Sequence, residues 1–309
     1  MDASRLSAVC PRCGYDQSGE VATWSDRCPI SGTCPECGTG FDWADLFNPA
    51  RQDIRWLVEH APSFGRRLRR TGPTLMRMVL PWVFWRRVDV HARTDVGSIV
   101  RWLVVLAIGM HLLTWIPFSI LFAMIDNGYW PTIGGVREYL RYVSTTELAN
   151  ALLTGLTWPV ISFFGLRPSW TDFYGGRELL GMFRVPLGIG LTWAVVMTAL
   201  PVTRRMARLR PAHVLRALLL QWTVVLMAMY AIRLLFPIGE LSGNTGVGVL
   251  AAVVYLLACL WSLVWWVAAL RVGWRIRSVG LSILGSVAAL LGGVVIAVIE
   301  MSVSSFLAP

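Results

Sequence analysis

Five long apolar runs fill most of the chain beyond residue 101: Trp102–Ile125, Leu179–Val202, Val214–Ile238, Gly246–Leu270 and Val279–Ile299. A helix needs about 20 apolar residues to cross a bilayer core of roughly 30 Å. Inside lipid the backbone must satisfy its own hydrogen bonds, so such runs fold as helices. The sequence therefore predicts an all-α polytopic membrane protein. Only 15% of the 309 residues are charged and the mean hydropathy is +0.58, where a soluble domain carries roughly 25% charge. A sixth segment, Leu148–Leu166, is weaker, because it contains Asn150, Pro159 and several small polar residues.

The bases decide how that sixth segment is read. All 28 are arginine, and the net charge is +10. Without lysine there is no ordinary P-loop, no Schiff-base chemistry and no Ser-Lys dyad. Fourteen arginines precede the first run, Thr203–His213 carries four and Arg271–Ser278 three, while Gly239–Thr245 and the tail after Glu300 carry none. Cytoplasmic loops collect arginine. If all six segments cross from a cytoplasmic N-terminus, both later clusters fall outside. If Leu148–Leu166 does not cross, both fall inside. Five transmembrane helices are thus expected, with the C-terminus outside, and six are the alternative. Residues 126–178 then form an outer segment whose apolar part lies in the interface or re-enters the membrane.

Residues 1–50 are different in kind: seven acids outweigh three arginines, and five of the six cysteines lie there. Two knuckles stand out, Cys10-Pro11-Arg12-Cys13-Gly14 and Cys34-Pro35-Glu36-Cys37-Gly38, separated by 20 residues. Two thiolates spaced by two residues converge on one ion when the chain turns tightly, and the following glycine admits positive φ. Cys10, Cys13, Cys34 and Cys37 are the expected metal ligands, with zinc as the ion and iron as an alternative for the same donors. Four cysteines close the coordination sphere, so the role is structural, and the metal supplies folding energy that so small a core lacks. Cys28 reads as a non-ligand, with a ligand in place of Cys34 as the alternative, and Cys259 as a packing residue. Residues 1–9 are not apolar, so these thiols are expected to face the reducing cytoplasm. The expected domains are a zinc ribbon (1–48), a basic juxtamembrane linker (49–101) and a transmembrane helical domain (102–309).

The linker reverses the charge, with eleven arginines against four acids in residues 51–101. Arg66, Arg67, Arg69 and Arg70 precede an apolar patch, Met78–Trp85, and Arg86 and Arg87 follow it. Eight residues cannot span, and arginines flanking tryptophans suit a headgroup layer. Anionic lipid headgroups are the expected partner of these six arginines. The acidic head disfavours nucleic acid.

The string Cys10-Pro11-Arg12-Cys13-Gly14-Tyr15-Asp16, followed by Cys34-Pro35-Glu36-Cys37-Gly38 and Phe41-Asp42, resembles the N-terminal zinc ribbon of a large group of uncharacterised bacterial membrane proteins. The likeness covers about 45 residues and implies a ribbon followed by transmembrane helices in a bacterial inner membrane. Gln17 stands where leucine is usual, and the loop holding Cys28 is longer. The five-span arrangement and the string Asp172-Phe173-Tyr174-Gly175 also resemble the Yip family of membrane-trafficking proteins. Neither likeness implies an activity.

Ionisable residues at membrane depth are His111, Arg184, Arg216, Arg233 and Glu300. The last four lie near run ends and are expected to snorkel, whereas His111 and Gln221 are expected to bridge helices. No HExxH, GxSxG or intramembrane aspartate pair occurs. The expected function is non-enzymatic: a cytoplasmic structural zinc ribbon that mediates protein interaction or assembly. A transporter would bring His111, Gln221 and Arg233 together. A lipid-acting enzyme would cluster residues such as Asp126, Glu138, Glu147, Asp172 and Glu178.

Overall fold

The computed structural model of the chain describes residues 8–25, 27–128, 133–163, 176–199, 207–242, 245–276 and 278–306. The N-terminal part contains α1 (Ser18–Ala22), an antiparallel hairpin of β1 (Ser31–Thr33) and β2 (Gly40–Asp42), and α2 (Trp43–Phe47). Short 3₁₀ turns at Pro49–Gln52 and Val58–His60 lead into α3 (Phe64–Met78) and α4 (Pro81–Arg87). The long elements follow: α5 (Val96–Asp126), α6 (Ile133–Tyr142), α7 (Thr145–Phe163), α8 (Gly176–Ala199), α9 (Pro211–Ser242), α10 (Thr245–Ala268) and α11 (Val279–Phe306).

Helices thus occupy all six apolar runs. Three stretches among the described residues are long and apolar enough to cross a membrane: Val96–Thr114, Pro211–Ile232 and Ala252–Gly273. Val185–Ala199 and Ser282–Val295 are shorter apolar helices. Leu148–Leu166 is helical in α7 as far as Phe163 but is not among the three. The helix starts follow local chemistry. Pro211 and Pro81 open α9 and α4, where a missing N–H costs nothing. Ser144 and Glu147 form a capping box at α7: the Ser144 N–H and hydroxyl donate to Glu147 Oε2, and the Glu147 N–H donates back to Ser144 Oγ.

The chain divides into two compact units. One joins residues 1–103, 189–224 and 262–292; the other joins 104–188, 225–261 and 293–309. The first holds the N-terminal cysteine-bearing part, α3, α4 and parts of α5, α8, α9, α10 and α11. Its core is aromatic. Trp85 lies 5.0 Å from Trp265 and 6.0 Å from Trp274, and Phe84 lies 5.1 Å from Trp265. Trp193 stacks on Trp266 at 5.9 Å. Such pairs add about 0.5–1.5 kcal/mol each beyond the area they bury. A Cβ at Gly273 would sit 2.7 Å from the Trp85 ring, so only glycine lets the π-helical turn Ala269–Gly273 approach this closely. The patch Met78–Trp85 is consequently split. Met78, Pro81, Phe84 and Trp85 recur at helical spacing and are buried, while Val79, Leu80, Trp82 and Val83 are exposed.

In the second unit Val225 and Ile232 pack with Leu187, Ala228, Met229 and Val254. His111 there places Nε2 3.0 Å from the carbonyl of Leu156, so its ring donates from α5 to α7.

Candidate metal centre

The two knuckles adopt the same backbone. Gly14 donates its N–H to the Cys10 carbonyl at 3.0 Å, and Gly38 donates to the Cys34 carbonyl at 2.9 Å. Cys10 N–H in turn reaches the Tyr15 carbonyl at 2.8 Å, and Cys34 N–H the Thr39 carbonyl at 3.0 Å. Both glycines close their turns at positive φ, +83° and +68°, where a side chain would be strained. The paired turns aim four sulfurs at one point. Cys10 Sγ lies 3.7 Å from Cys37 Sγ, Cys13 Sγ lies 3.6 Å from Cys34 Sγ, and all four sulfurs fall within 4.8 Å of one another.

These separations exclude disulfides, whose sulfurs are about 2.0 Å apart. A tetrahedral ion with sulfur bonds of 2.3 Å requires edges of about 3.8 Å, so the cluster can hold a metal ion. Burial pushes the Cys10 and Cys13 thiols up. It also raises Cys37, but hydrogen bonds from Thr39 and from the neighbouring cysteines outweigh it and bring that thiol down to about 7. A bound cation replaces the protons of all four. Cys28 is exposed and lies outside the cluster.

A small aromatic core supports the site. Cys10 and Cys34 are buried with Ala8, Phe41, Trp43 and Leu46. Trp43 meets Trp24 edge-on at 4.6 Å and Phe41 at 4.9 Å. Asp42 caps α2 by accepting from Ala44 N–H at 2.8 Å, which turns the chain directly from the hairpin into the helix that carries Trp43.

This N-terminal part is fastened at two places. At the first knuckle, Arg12 Nε donates to the Ala207 carbonyl at 3.2 Å and Arg210 N–H donates to the Arg12 carbonyl at 2.8 Å. His213 Nε2 donates to the Pro11 carbonyl at 2.7 Å. The Ala207–Arg210 turn contains Arg208 at φ +44°, a conformation that costs a non-glycine residue about 1 kcal/mol. At the hairpin, His91 Nε2 donates to the Gly40 carbonyl at 3.0 Å and its Nδ1 lies 3.2 Å from Asp89 Oδ2. Asp89 is also 3.6 Å from Arg275.

Beneath this contact lies a buried ion pair. Arg216 and Glu59 are each about 1% exposed, with guanidinium to carboxylate distances of 2.8 and 3.3 Å. Arg216 also donates to the carbonyls of Ala92 and Arg93. Burial raises the Glu59 carboxyl to about 7, against the pull of Arg216. His60 accepts from Ile54 N–H and donates to the Arg93 carbonyl, both at 2.7 Å, and burial holds its pKa down, so it acts as a neutral ring. Arg216 therefore does not snorkel, contrary to the sequence expectation: a carboxylate and two carbonyls satisfy it inside the protein.

Of the other residues singled out from sequence, Gln221 is buried and accepts from Trp266 Nε1 at 2.8 Å, tying α9 to α10. The side chains of Arg184, Arg233 and Glu300, and the Asp172–Gly175 string, lie outside the described residues. Arg67 reaches Ser98 Oγ at 3.3 Å and Arg70 the Leu57 carbonyl at 3.4 Å, whereas Arg66, Arg69, Arg86 and Arg87 are exposed. Glu59, His91 and His213 carry no motif and were not legible as site residues.

The geometry shows a mostly helical protein with three helices long and apolar enough to cross a membrane and, near its N-terminus, a four-cysteine cluster that can hold a metal ion. Comparison with protein-family models, curated proteins and solved structures returns no match.

Proposed function

We propose that the chain is a non-enzymatic, five-span protein of a bacterial inner membrane, with its N-terminus in the cytoplasm and its C-terminus outside. In this reading Cys10, Cys13, Cys34 and Cys37 hold a structural zinc ion, as in the ribbon-bearing membrane proteins the sequence resembles. The zinc ribbon organises the cytoplasmic ends of the helices and mediates assembly with a protein partner or a second copy.

The observation that carries the reading is the fastening of the first knuckle to the turn before α9. The hydrogen bonds between Arg12 and the Ala207–Arg210 turn support a reading in which the N-terminal head and the arginine cluster of Thr203–His213 share one side of the membrane. The Arg275–Asp89 contact supports the same side for the arginines that follow α10. Both agree with a count in which α7 does not cross. The closed ligand set leaves no position for a substrate, which favours assembly over catalysis. His111 and Gln221 each close a hydrogen bond to another helix. That use supports a packing role over a transport path.

The hairpin offers the docking surface, with Ile30 85% exposed beside β1. A photo-crosslinking residue at Ile30 of the full-length protein in native membranes is expected to give one discrete adduct, lost in Cys13→Ser. No adduct, or the same adduct in Cys13→Ser, contradicts the assembly role.

A further inference from the structure

We infer that α3 and α4 form a platform in the headgroup layer that binds anionic lipid through Arg66, Arg69, Arg86 and Arg87, while Leu68, Met76, Leu80 and Trp82 enter the acyl boundary. Arg67, Arg70 and Arg77 take no part. The inference rests on the reading of the apolar helices as membrane spans, and it narrows the six arginines expected from sequence to four.

Three observations point the same way. The first is the division of the arginines. Arg67 and Arg70 are spent on Ser98 and Leu57, and Arg77 donates to the Pro73 carbonyl at 2.9 Å and lies over the Trp56 ring at 4.8 Å. Arg66, Arg69, Arg86 and Arg87 are exposed and make no protein hydrogen bond or ion pair among the described residues. The second is the apolar surface between them. Leu68, Met76 and Leu80 are 63%, 73% and 60% exposed. A water-facing surface rarely leaves such residues contiguous. The amphipathic arc of α3 runs from Phe64 through Leu68 and Met76 to Arg69, and the opposite arc buries Thr74 and Met78.

The third observation is depth. Trp102, early in the span Val96–Thr114, donates its indole N–H to Thr71 of α3 at 3.0 Å. Phe84 and Trp85 of α4 pack on Trp265 of the span Ala252–Gly273, and Trp85 also on Trp274 just beyond it. The platform is thereby pinned near the ends of two spans, where a bilayer changes from acyl chain to headgroup. Arginines flanking apolar and indole side chains match that layer. Free arginine guanidiniums complement a phosphate in fork geometry. The occupant is an anionic phospholipid of the membrane itself.

The test uses the full-length protein in phosphatidylcholine nanodiscs with and without phosphatidylglycerol, followed by mass spectrometry of lipid retained on detergent exchange. Wild type is expected to retain phosphatidylglycerol in preference. Each lost arginine weakens retention about fivefold, so the four changes in R66Q/R69Q/R86Q/R87Q together lose roughly several hundredfold. R67Q/R70Q keeps the preference even if it is less stable. A nitroxide at Met76→Cys, in a Cys28→Ser background, is expected to meet lipid-dissolved oxygen more often than an aqueous relaxation agent.

Unchanged retention in the quadruple variant overturns the inference. So does a water-exposed nitroxide, a dimer that shields position 76, or an RNA or DNA duplex that displaces the lipid. A protein that fails to enter the discs contradicts the span reading. One that enters without lipid preference contradicts this inference alone.

Discussion

The backbone N–H of Arg210 lies 2.8 Å from the carbonyl oxygen of Arg12. This bond joins the first metal knuckle to the turn that starts α9, and it links two parts of the chain that the sequence alone does not associate. Its consequences reach both the membrane topology and the stability of the ribbon.

Topology is tested with impermeant thiol labels at engineered cysteines. A cysteine at the exposed Arg208 of the turn is expected to label from the cytoplasmic side, together with the exposed Cys28 of the head. Asn150 and Arg167 are both expected to label from outside. Opposite sides for Asn150 and Arg167 restore six spans.

The buried pair of Arg216 and Glu59 is expected to be intolerant of losing one member. Arg216→Met leaves a buried carboxylate and two carbonyls without their donor, a cost of about 3–5 kcal/mol. The double variant Glu59→Leu with Arg216→Met removes the stranded charge and is expected to cost less than the sum of the single changes. A double-mutant cycle of unfolding in detergent measures this. An Arg216→Met protein as stable as wild type contradicts the pair's role.

The hairpin contact is expected to weaken with rising pH. Both His91 nitrogens face acceptors, so only the imidazolium satisfies Gly40 and Asp89 together. The hydrogen bond to Asp89 raises the His91 pKa, with burial opposing it. For Asp89, burial pushes the carboxyl up, but His91 outweighs it and leaves the value below normal. His91's contribution is therefore complete below its unfolded value of 6.5 and is lost as pH rises through its raised pKa. Asp89's contribution is complete above 3.8 and is lost as pH falls through its lowered value. The His91 side chain is 35% exposed, and screening keeps the effect to about 1 kcal/mol or less. Melting of wild type and His91→Gln across pH 6–9 measures it. Parallel curves contradict the contact.

Much of this arrangement was legible because two signals are local. An apolar run of helical length specifies its own backbone pairing, and each of the six runs is helical in its described residues. A C-P-x-C-G string likewise sets its own turn, and the four cysteine sulfurs converge to a cluster that can hold a metal ion. What remained hidden is long-range. Glu59 and Arg216 are 157 residues apart, and an arginine near a span end gives no sign of whether headgroups or a buried carboxylate will satisfy it. The same holds for His213 and Pro11. Trp82 and Trp85 sit in one apolar patch in the sequence. Packing against Trp265 and Trp274, with the close approach of Gly273, buries Trp85 and leaves Trp82 exposed.

The central claim, a structural zinc ribbon seated on the membrane helices, is tested most directly by metal analysis of the purified full-length protein. About one zinc per chain is expected, with loss of the metal in Cys13→Ser and in Cys37→Ser. Protein that carries no metal yet keeps its fold, or that keeps its zinc in both variants, contradicts it.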